Sequence, residues 1–488
     1  MADRPNILLM VSDQHAPRMM GCSGEPIVRT PNLDALAERG TRFENAYCAA
    51  PLCVPSRMSM LTSRHCSDIG VWTNSCYLPS DEPTFAHSIG AAGYQTVLSG
   101  RMHFMGPDQR HGFHERIIGD IGCYSGLTQG KGNLTPELGP GSGQTGRAVE
   151  IAGPGRTSYQ AYDEAVLDAS AQWLSERAAA DDDRPFLLTA GFVLPHCPFV
   201  AREDLFEYYY ERVEVPETPE GYFENLHPAM KAWRELREVE RLTGEQIRRA
   251  RAGYYGLVEH FDEVVGGMLR ALEESGMADD TVVIYLSDHG ESAGHNGLWW
   301  KSQFSQDGAG VPMIMAGPGV PQGETRSEVV SLLDVGPTLT EIAGGPEVPM
   351  ISGQSLAPVI AGDAPLWRNE AISELIGIDA RYPFPGRMIR RGAWKLIHYE
   401  GHEPMLFNLD EDPNEFVDRA GDPACRDIRT YLHDRVLAGW RPGEAVRTLR
   451  ARWERLSLLG DWTRAWDSKP RDEVDFWWAP EDANAVEW

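Results

Sequence analysis

The sequence predicts an α/β fold built on a largely parallel or mixed sheet. Three observations carry this. Apolar runs of strand length recur, amphipathic stretches of helix length separate them, and beyond about residue 365 the pattern shifts toward antiparallel strands and a helix.

In chain order, residues 6–11 (NILLMV) read as a buried strand. Residues 31–40 (PNLDALAERG) read as a helix with Pro at its start and Gly after its end. Residues 94–99, 186–193 and 281–286 read as further buried strands, and 160–178 and 255–275 as helices. The stretch 119–158 is rich in Gly, Ser, Thr and Pro without a periodic pattern, and reads as a long loop, either mobile or folded over a site. Residues 387–399 and 405–409 suggest antiparallel strands, and a helix is expected around 423–439. The tail carries Trp453, Trp462, Trp466, Trp477, Trp478 and Trp488, and is expected to pack on its own domain or on a neighbouring subunit. The expected organisation is a large α/β domain over 1–365, an α+β subdomain over 366–445 and the Trp-rich tail over 446–488.

A hydrophobic fraction of 42% is ample for a large core. The formal net charge of −27 disfavours nucleic acid and anionic membrane surfaces as partners. Any anion site must then be a local cationic pocket inside a repelling field. Eight cysteines (Cys22, Cys48, Cys53, Cys66, Cys76, Cys123, Cys197, Cys425) show neither a CxxC pair nor zinc spacing. The opening MADRPNILLMVSD lacks the pattern of a secretory signal, and Ile7 to Val11 is too short to span a membrane. A cytoplasmic protein with reduced thiols is therefore expected.

Chemistry collects where the predicted strands end. Ser12-Asp13-Gln14 follows the first, Gly100-Arg101-Met102-His103 the second, Leu194-Pro195-His196 the third and Ser287-Asp288-His289-Gly290-Glu291 the fourth. In open α/β sheets, sites form at the carboxyl ends of strands. Asp13, Gln14, Asp288 and His289 are mostly hard donors and suit Ca²⁺, Mg²⁺ or Mn²⁺. Either Asp alone is equally a turn or helix cap. Cys53 precedes a helix expected to begin at about Pro55, where the dipole and free N–H groups favour an anion, and Arg57 lies in its first turn. A buried inert thiol and a plain thiolate nucleophile are the other readings of Cys53.

Cys53-Val54-Pro55-Ser56-Arg57 followed by Leu61-Thr62-Ser63-Arg64 resembles the type I sulfatase signature. Residues 30–47 match the early helix and turn of that family, and Gly100 to Phe104, Asp288 to Glu291, Gly297 to Lys301 and Leu406 to Leu409 (leading into Asp412-Pro413-Asn414-Glu415) match its later blocks in order. The resemblance implies an alkaline-phosphatase-like sheet sandwiched by helices, with a smaller C-terminal antiparallel sheet and helix. It implies oxidation of Cys53 to formylglycine by a maturation enzyme. One hydroxyl of the hydrated aldehyde then attacks sulfur, and the other expels sulfate by re-forming the aldehyde. It also implies one divalent metal, Ca²⁺ or Mn²⁺ first and Mg²⁺ as alternative, held by Asp13, Gln14, Cys53, Asp288 and His289. Arg57 would orient the nucleophile, and Arg101 and Lys301 would hold the sulfate oxygens. His196 is the candidate acid for the leaving oxygen and His103 the base for aldehyde regeneration, and these two assignments are interchangeable.

Many sulfatases carry two Asp where this chain has Asp13-Gln14, and Asn, or Lys and His, where it has His289 and Arg101. The Asp-Gln and Asp-His pairs resemble choline sulfatases and phosphonate monoester hydrolases. Residues 100–113, with Leu78 to Asp81 upstream, are especially similar to the former. A choline site needs an aromatic wall, yet the 119–158 loop with its end offers Tyr124 and Tyr159 and no Trp, and carries Lys131, Arg147 and Arg156. The tail's tryptophans could supply the wall from the same or another subunit. A small alkyl, aryl or monosaccharide-type sulfate ester is the expected substrate, and a homo-oligomer (dimer or tetramer) the expected assembly. The alternatives are a phosphonate monoester or phosphodiester hydrolase with the same machinery, and a non-catalytic assembly protein with unmodified Cys53.

Overall fold

An apolar run without polar alternation fits a strand covered on both faces. Asn6–Asp13 (β1) is such a strand, buried from Ile7 onward at the middle of a nine-stranded sheet. The computed structural model describes residues 4–121, 144–377, 384–466 and 476–477. The sheet's other strands are β2 (Gly40–Tyr47), β3 (Gln95–Gly100), β4 (Glu115–Ile118), β5 (Phe186–Pro195), β6 (Thr281–Ser287), β7 (Gly310–Val311), β8 (Met313–Ala316) and β9 (Glu324–Ser331). Their order is β7-β2-β8-β6-β1-β5-β3-β4, with β9 on β2. From β6 to β4 every pairing is parallel, whereas β8 runs antiparallel to both β6 and β2. The sheet is therefore mixed and mostly parallel.

Helices cover it. Pro31–Glu38 (α1) has Pro at its first position, as the sequence predicts. Cys53–Thr62 (α2) starts two residues before the expected Pro55. Its first intrahelical bond runs from Ser56 N–H to Leu52 O (2.9 Å), so the missing N–H of Pro55 falls among donors that have no helical acceptor. Ser158–Ala179 (α3) agrees with expectation. Gly244–Glu274 (α4) begins well before the expected residue 255, because Thr243 and Gln246 form a capping box ahead of its apolar face. The region read as one loop over 119–158 contains a short helix, Gly146–Glu150, and two-residue strands at Asp120–Ile121 and Gly153–Pro154. Tyr124, Lys131 and Cys123 lie outside the described residues.

C-terminal to the large sheet, strands Glu370–Leu375, Gly386–Arg391, Trp394–Tyr399 and Met405–Asn408 form an antiparallel meander. Helix Arg426–Leu437 (α5) packs Leu432 and Val436 on Ile389, Leu396 and Leu406. Pro442–Trp466 (α6) then returns to the large core through Ala445 and Leu449. Arg452 donates to Ser75 O (2.9 Å) and covers the Tyr77 ring. Phe476–Trp477 pairs in parallel with Asp120–Ile121. Trp478 and Trp488 lie outside the described residues. The seven described cysteines are all unpaired. No described helix is long and apolar enough to cross a membrane.

Candidate active site

The parallel strands β6, β1, β5 and β3 are neighbours, so their carboxyl ends lie side by side along one sheet edge. Asp13 ends β1, Asp288 and His289 follow β6, His196 follows β5 and Arg101 follows β3. Close backbone approach makes the β3 turn possible. Gly100 adopts φ +82°, and a Cβ on Gly191 of β5 would meet Arg101 O at 1.8 Å.

Helix α2 inserts Cys53 and Arg57 between these ends. Cys53 Sγ lies 3.1 Å from His289 Nε2 and 3.8 Å from Asp13 Oδ1. One ligand atom from each of Asp13, Cys53, Asp288 and His289 falls within 4.8 Å of the others, and all four residues are buried. Arg57 donates through Nε to Asp288 Oδ2 (2.8 Å) and through Nη2 toward Asp13 Oδ2 (3.4 Å). Its Nη1 donates to Arg101 O (2.8 Å), so one guanidinium ties three strand ends together. Arg101 Nε donates to Asp13 Oδ2 (2.9 Å).

Charge follows from these contacts. Burial opposes ionisation of Asp13, but its cationic neighbours, led by Arg101, hold its carboxyl well below the usual range. Burial pushes the His289 imidazole down, keeping it neutral. Its Nδ1 faces Gly290 O (3.1 Å), which only accepts, so Nδ1 carries the proton and Nε2 turns a lone pair on the cluster. Two carboxylates and an imidazole nitrogen around a buried point fit a divalent cation of the Ca²⁺, Mn²⁺ or Mg²⁺ kind.

Gln14, expected among the metal ligands, lies beside this group. Its N–H donates to Asp288 Oδ1 (3.2 Å), while its side chain accepts from Lys301 Nζ and donates to Glu291 Oε2 (2.6 Å). Lys301 also donates to His196 Nε2 (2.7 Å). His196 Nδ1 faces Cys197 O (2.5 Å) and therefore carries that ring's proton. His103 Nδ1 accepts from Arg101 Nη2 (2.8 Å), leaving its proton on Nε2. Burial and the neighbouring Arg101 push His103 well below the usual imidazole range. Tyr159 meets the His196 ring edge-on, with centroids 5.9 Å apart. Of the basic residues expected near the site, Arg156 is exposed and paired with Glu164, and Arg147 is exposed.

Three further residues, to which the sequence alone assigns no role, support the site. Glu291 accepts from Ala293 N (2.7 Å) and Trp300 N (2.6 Å) as well as from Gln14. Asp120 accepts from His103 N (2.7 Å) and pairs with Arg101. Asn74 accepts from Val54 N (3.0 Å) in the first turn of α2. Glu291 stands inside a quoted motif, so its position was visible, whereas nothing local marks Asp120 or Asn74.

Residues 5–345 match the family model described as Sulfatase, and 294–440 match the one described as N-sulphoglucosamine sulphohydrolase, C-terminal. A choline-sulfatase of Rhizobium meliloti is 34% identical over 96% of this chain and 94% of its own. An arylsulfatase K of Danio rerio is 29% identical over 89% of this chain and 84% of its own. The crystal structure of a phosphonate monoester hydrolase of Agrobacterium radiobacter superposes with a TM-score of 0.73 over 92% of this chain and 96% of that one, at 22% identity.

Proposed function

The chain belongs to the sulfatase family, and from that premise we propose that it hydrolyses a small organic sulfate monoester to an alcohol and sulfate through a formylglycine at position 53. The observation that carries this reading is Cys53 Sγ on the first turn of α2, 3.1 Å from His289 Nε2, with Asp13 and Asp288 beside it and Arg57, Arg101 and Lys301 around it. The sulfur stands where the hydroxyls of the hydrated aldehyde would be.

Asp13, Asp288, His289, Gln14 and residue 53 would hold the divalent cation, which supplies positive charge to the nucleophile and to one sulfate oxygen. Arg57, fixed by both carboxylates, orients residue 53. Arg101 and Lys301 bind the remaining sulfate oxygens and favour the charge that builds in the transition state. One hydroxyl at position 53, its proton released to water, attacks sulfur as the bond from sulfur to the alcohol oxygen breaks. That oxygen takes a proton from His196 Nε2, which the Lys301 ammonium supplies across their hydrogen bond. The second hydroxyl then gives its proton to His103 Nδ1, freed as Arg101 turns from that nitrogen to the sulfate, while the carbon–oxygen bond to the sulfate breaks, which restores the aldehyde and frees sulfate. A cytoplasmic setting favours small imported esters over long sulfated polymers. A formylglycine-generating enzyme is the required partner.

Mass spectrometry of the peptide spanning Cys53 is expected to show a loss of about 18 Da, the aldehyde in place of the thiol. A screen of small sulfate esters with metal added is expected to give turnover that Cys53→Ala abolishes without loss of fold. A higher specificity constant for a phosphonate monoester than for every sulfate ester would instead make the phosphonate the substrate.

A further inference from the structure

A cavity of about 380 Å³ lies between the C-terminal sheet and the segment after α2, and its lining shares no residue with the active site. Four nitrogens on its lining residues, Arg368 Nε, Arg387 Nε, Trp440 Nε1 and His65 Nδ1, have no hydrogen-bond partner among the described residues. Arg387 and Trp440 are each only 6% exposed. Buried polar groups in folded proteins are nearly always paired, with an ordered water or an ion where protein supplies nothing. Three of these four nitrogens can only donate, so the missing partner is an acceptor.

Of the carboxylates nearby, Asp68 on the lining is exposed, and Asp334, Glu374 and Glu370 are committed to other donors. Asp334 accepts from Arg368, from Ser331 N (2.8 Å) and from Gln354 N (2.8 Å). Glu374 accepts from Ser67 N (2.6 Å) and Ser67 Oγ (2.8 Å), and reaches Arg387 Nε only as an ion pair at 3.4 Å. Glu370 is shared between Arg391 and Arg435. We propose that this cavity is a binding site for an inorganic tetrahedral oxyanion, sulfate or phosphate, held by the guanidinium groups of Arg368, Arg387 and Arg435. The potential there agrees with an anion. Burial pushes His65 down to about 3, and Arg387, Arg368 and Arg435 all add to that push. Three arginines line this cavity in a chain whose net charge is −27, each also paired with a carboxylate. A bound oxyanion would link the segment after α2 to the C-terminal sheet and the end of α5.

The test uses the full chain, with sodium sulfate and sodium phosphate titrated separately against sodium chloride at equal ionic strength. Bound anion is counted by equilibrium dialysis, and the melting temperature is followed in parallel. The catalytic site also meets sulfate, so the informative variant is Ala438→Glu, which puts a carboxylate at an exposed rim position and leaves every catalytic group in place. Expected are one fewer anion per chain in the variant, or an affinity at this site weaker by about tenfold or more from like-charge repulsion. Inhibition of ester hydrolysis by sulfate is expected to stay unchanged. Arg435→Gln, at a half-exposed guanidinium, is expected to weaken the same binding and serves if the first variant does not fold. The two anion arms identify which oxyanion the cavity prefers. Equal stoichiometry and affinity in wild type and variants, for both anions, would overturn the proposal.

Discussion

Replacing Glu291 by Gln changes one atom and sets a whole chain of hydrogen bonds in conflict. Glu291 Oε1 accepts from Ala293 N and Trp300 N, which anchors that oxygen, and Oε2 accepts from Gln14 Nε2 at 2.6 Å. A Gln there must keep its carbonyl on the two backbone donors and so turns its NH₂ toward the NH₂ of Gln14. If Gln14 flips to accept, its NH₂ then faces the Lys301 ammonium, which also only donates. One charge-assisted hydrogen bond is lost whichever way the amides turn, worth roughly 1.5–3 kcal/mol. At about 1.4 kcal/mol per tenfold, kcat/KM on a sulfate ester should fall by roughly tenfold to a hundredfold. The double variant Gln14→Glu with Glu291→Gln reverses donor and acceptor between the two positions and should recover much of the loss. Burial pushes Glu291 up to about 7, against the pull of its backbone donors and Lys301. Since the carboxylate form is the one Gln14 needs, wild-type kcat/KM should fall as pH drops through about 7, and Glu291→Gln should lack that limb. Wild-type kcat/KM in the single variant, or a double variant no better than the single, would sink the reasoning.

Arg57→Ala strips the buried Asp288 carboxylate of its cation, whereas Asp13 keeps Arg101. Breaking such a pair costs about 3–5 kcal/mol, and an unfolding entropy near 1 kcal/mol/K for this length, from about 2.1 cal/mol/K per residue, gives a melting temperature lower by about 3–5 °C in a calorimetric scan. Chelation should remove turnover and lower the melting temperature of wild type, while Asp288→Asn should raise the metal concentration needed to restore activity, read by metal titration. Asp163 is buried, accepts from Val193 N and Leu194 N (2.8 Å each), and is pushed up to about 7 by burial. Its folded pKa exceeds the unfolded value, so its stabilising contribution is complete below about 4 and disappears as pH rises through 7. Asp163→Asn should therefore flatten melting temperature against pH across that window, and an unchanged slope would contradict the assignment.

Much of the site was legible because one rule governs it. Asp13, Arg101, His196 and Asp288 follow apolar runs in the sequence, and parallel pairing of β6, β1, β5 and β3 brings those ends together. What the sequence concealed came from long-range geometry. Asp120 sits in a stretch without periodicity and acts only because the chain folds back on Arg101 and His103. The contacts that hold the Gln14 amide come from Lys301 and Glu291, which arrive from the loop after β6 and are not visible beside Asp13 in the sequence. The early start of α4 was masked by composition. Its first turns, GEQIRRARAG, are polar and glycine-bearing, so the apolar period began late although the Thr243–Gln246 cap was present in the letters.

All ten residues of α2 are buried, including Ser56, Arg57, Ser59 and Thr62. A reactive group mounted on such an element has little freedom left to surrender when the barrier is crossed. The activation entropy of the chemical step should accordingly be small. Warming would then accelerate the reaction mainly through its enthalpy.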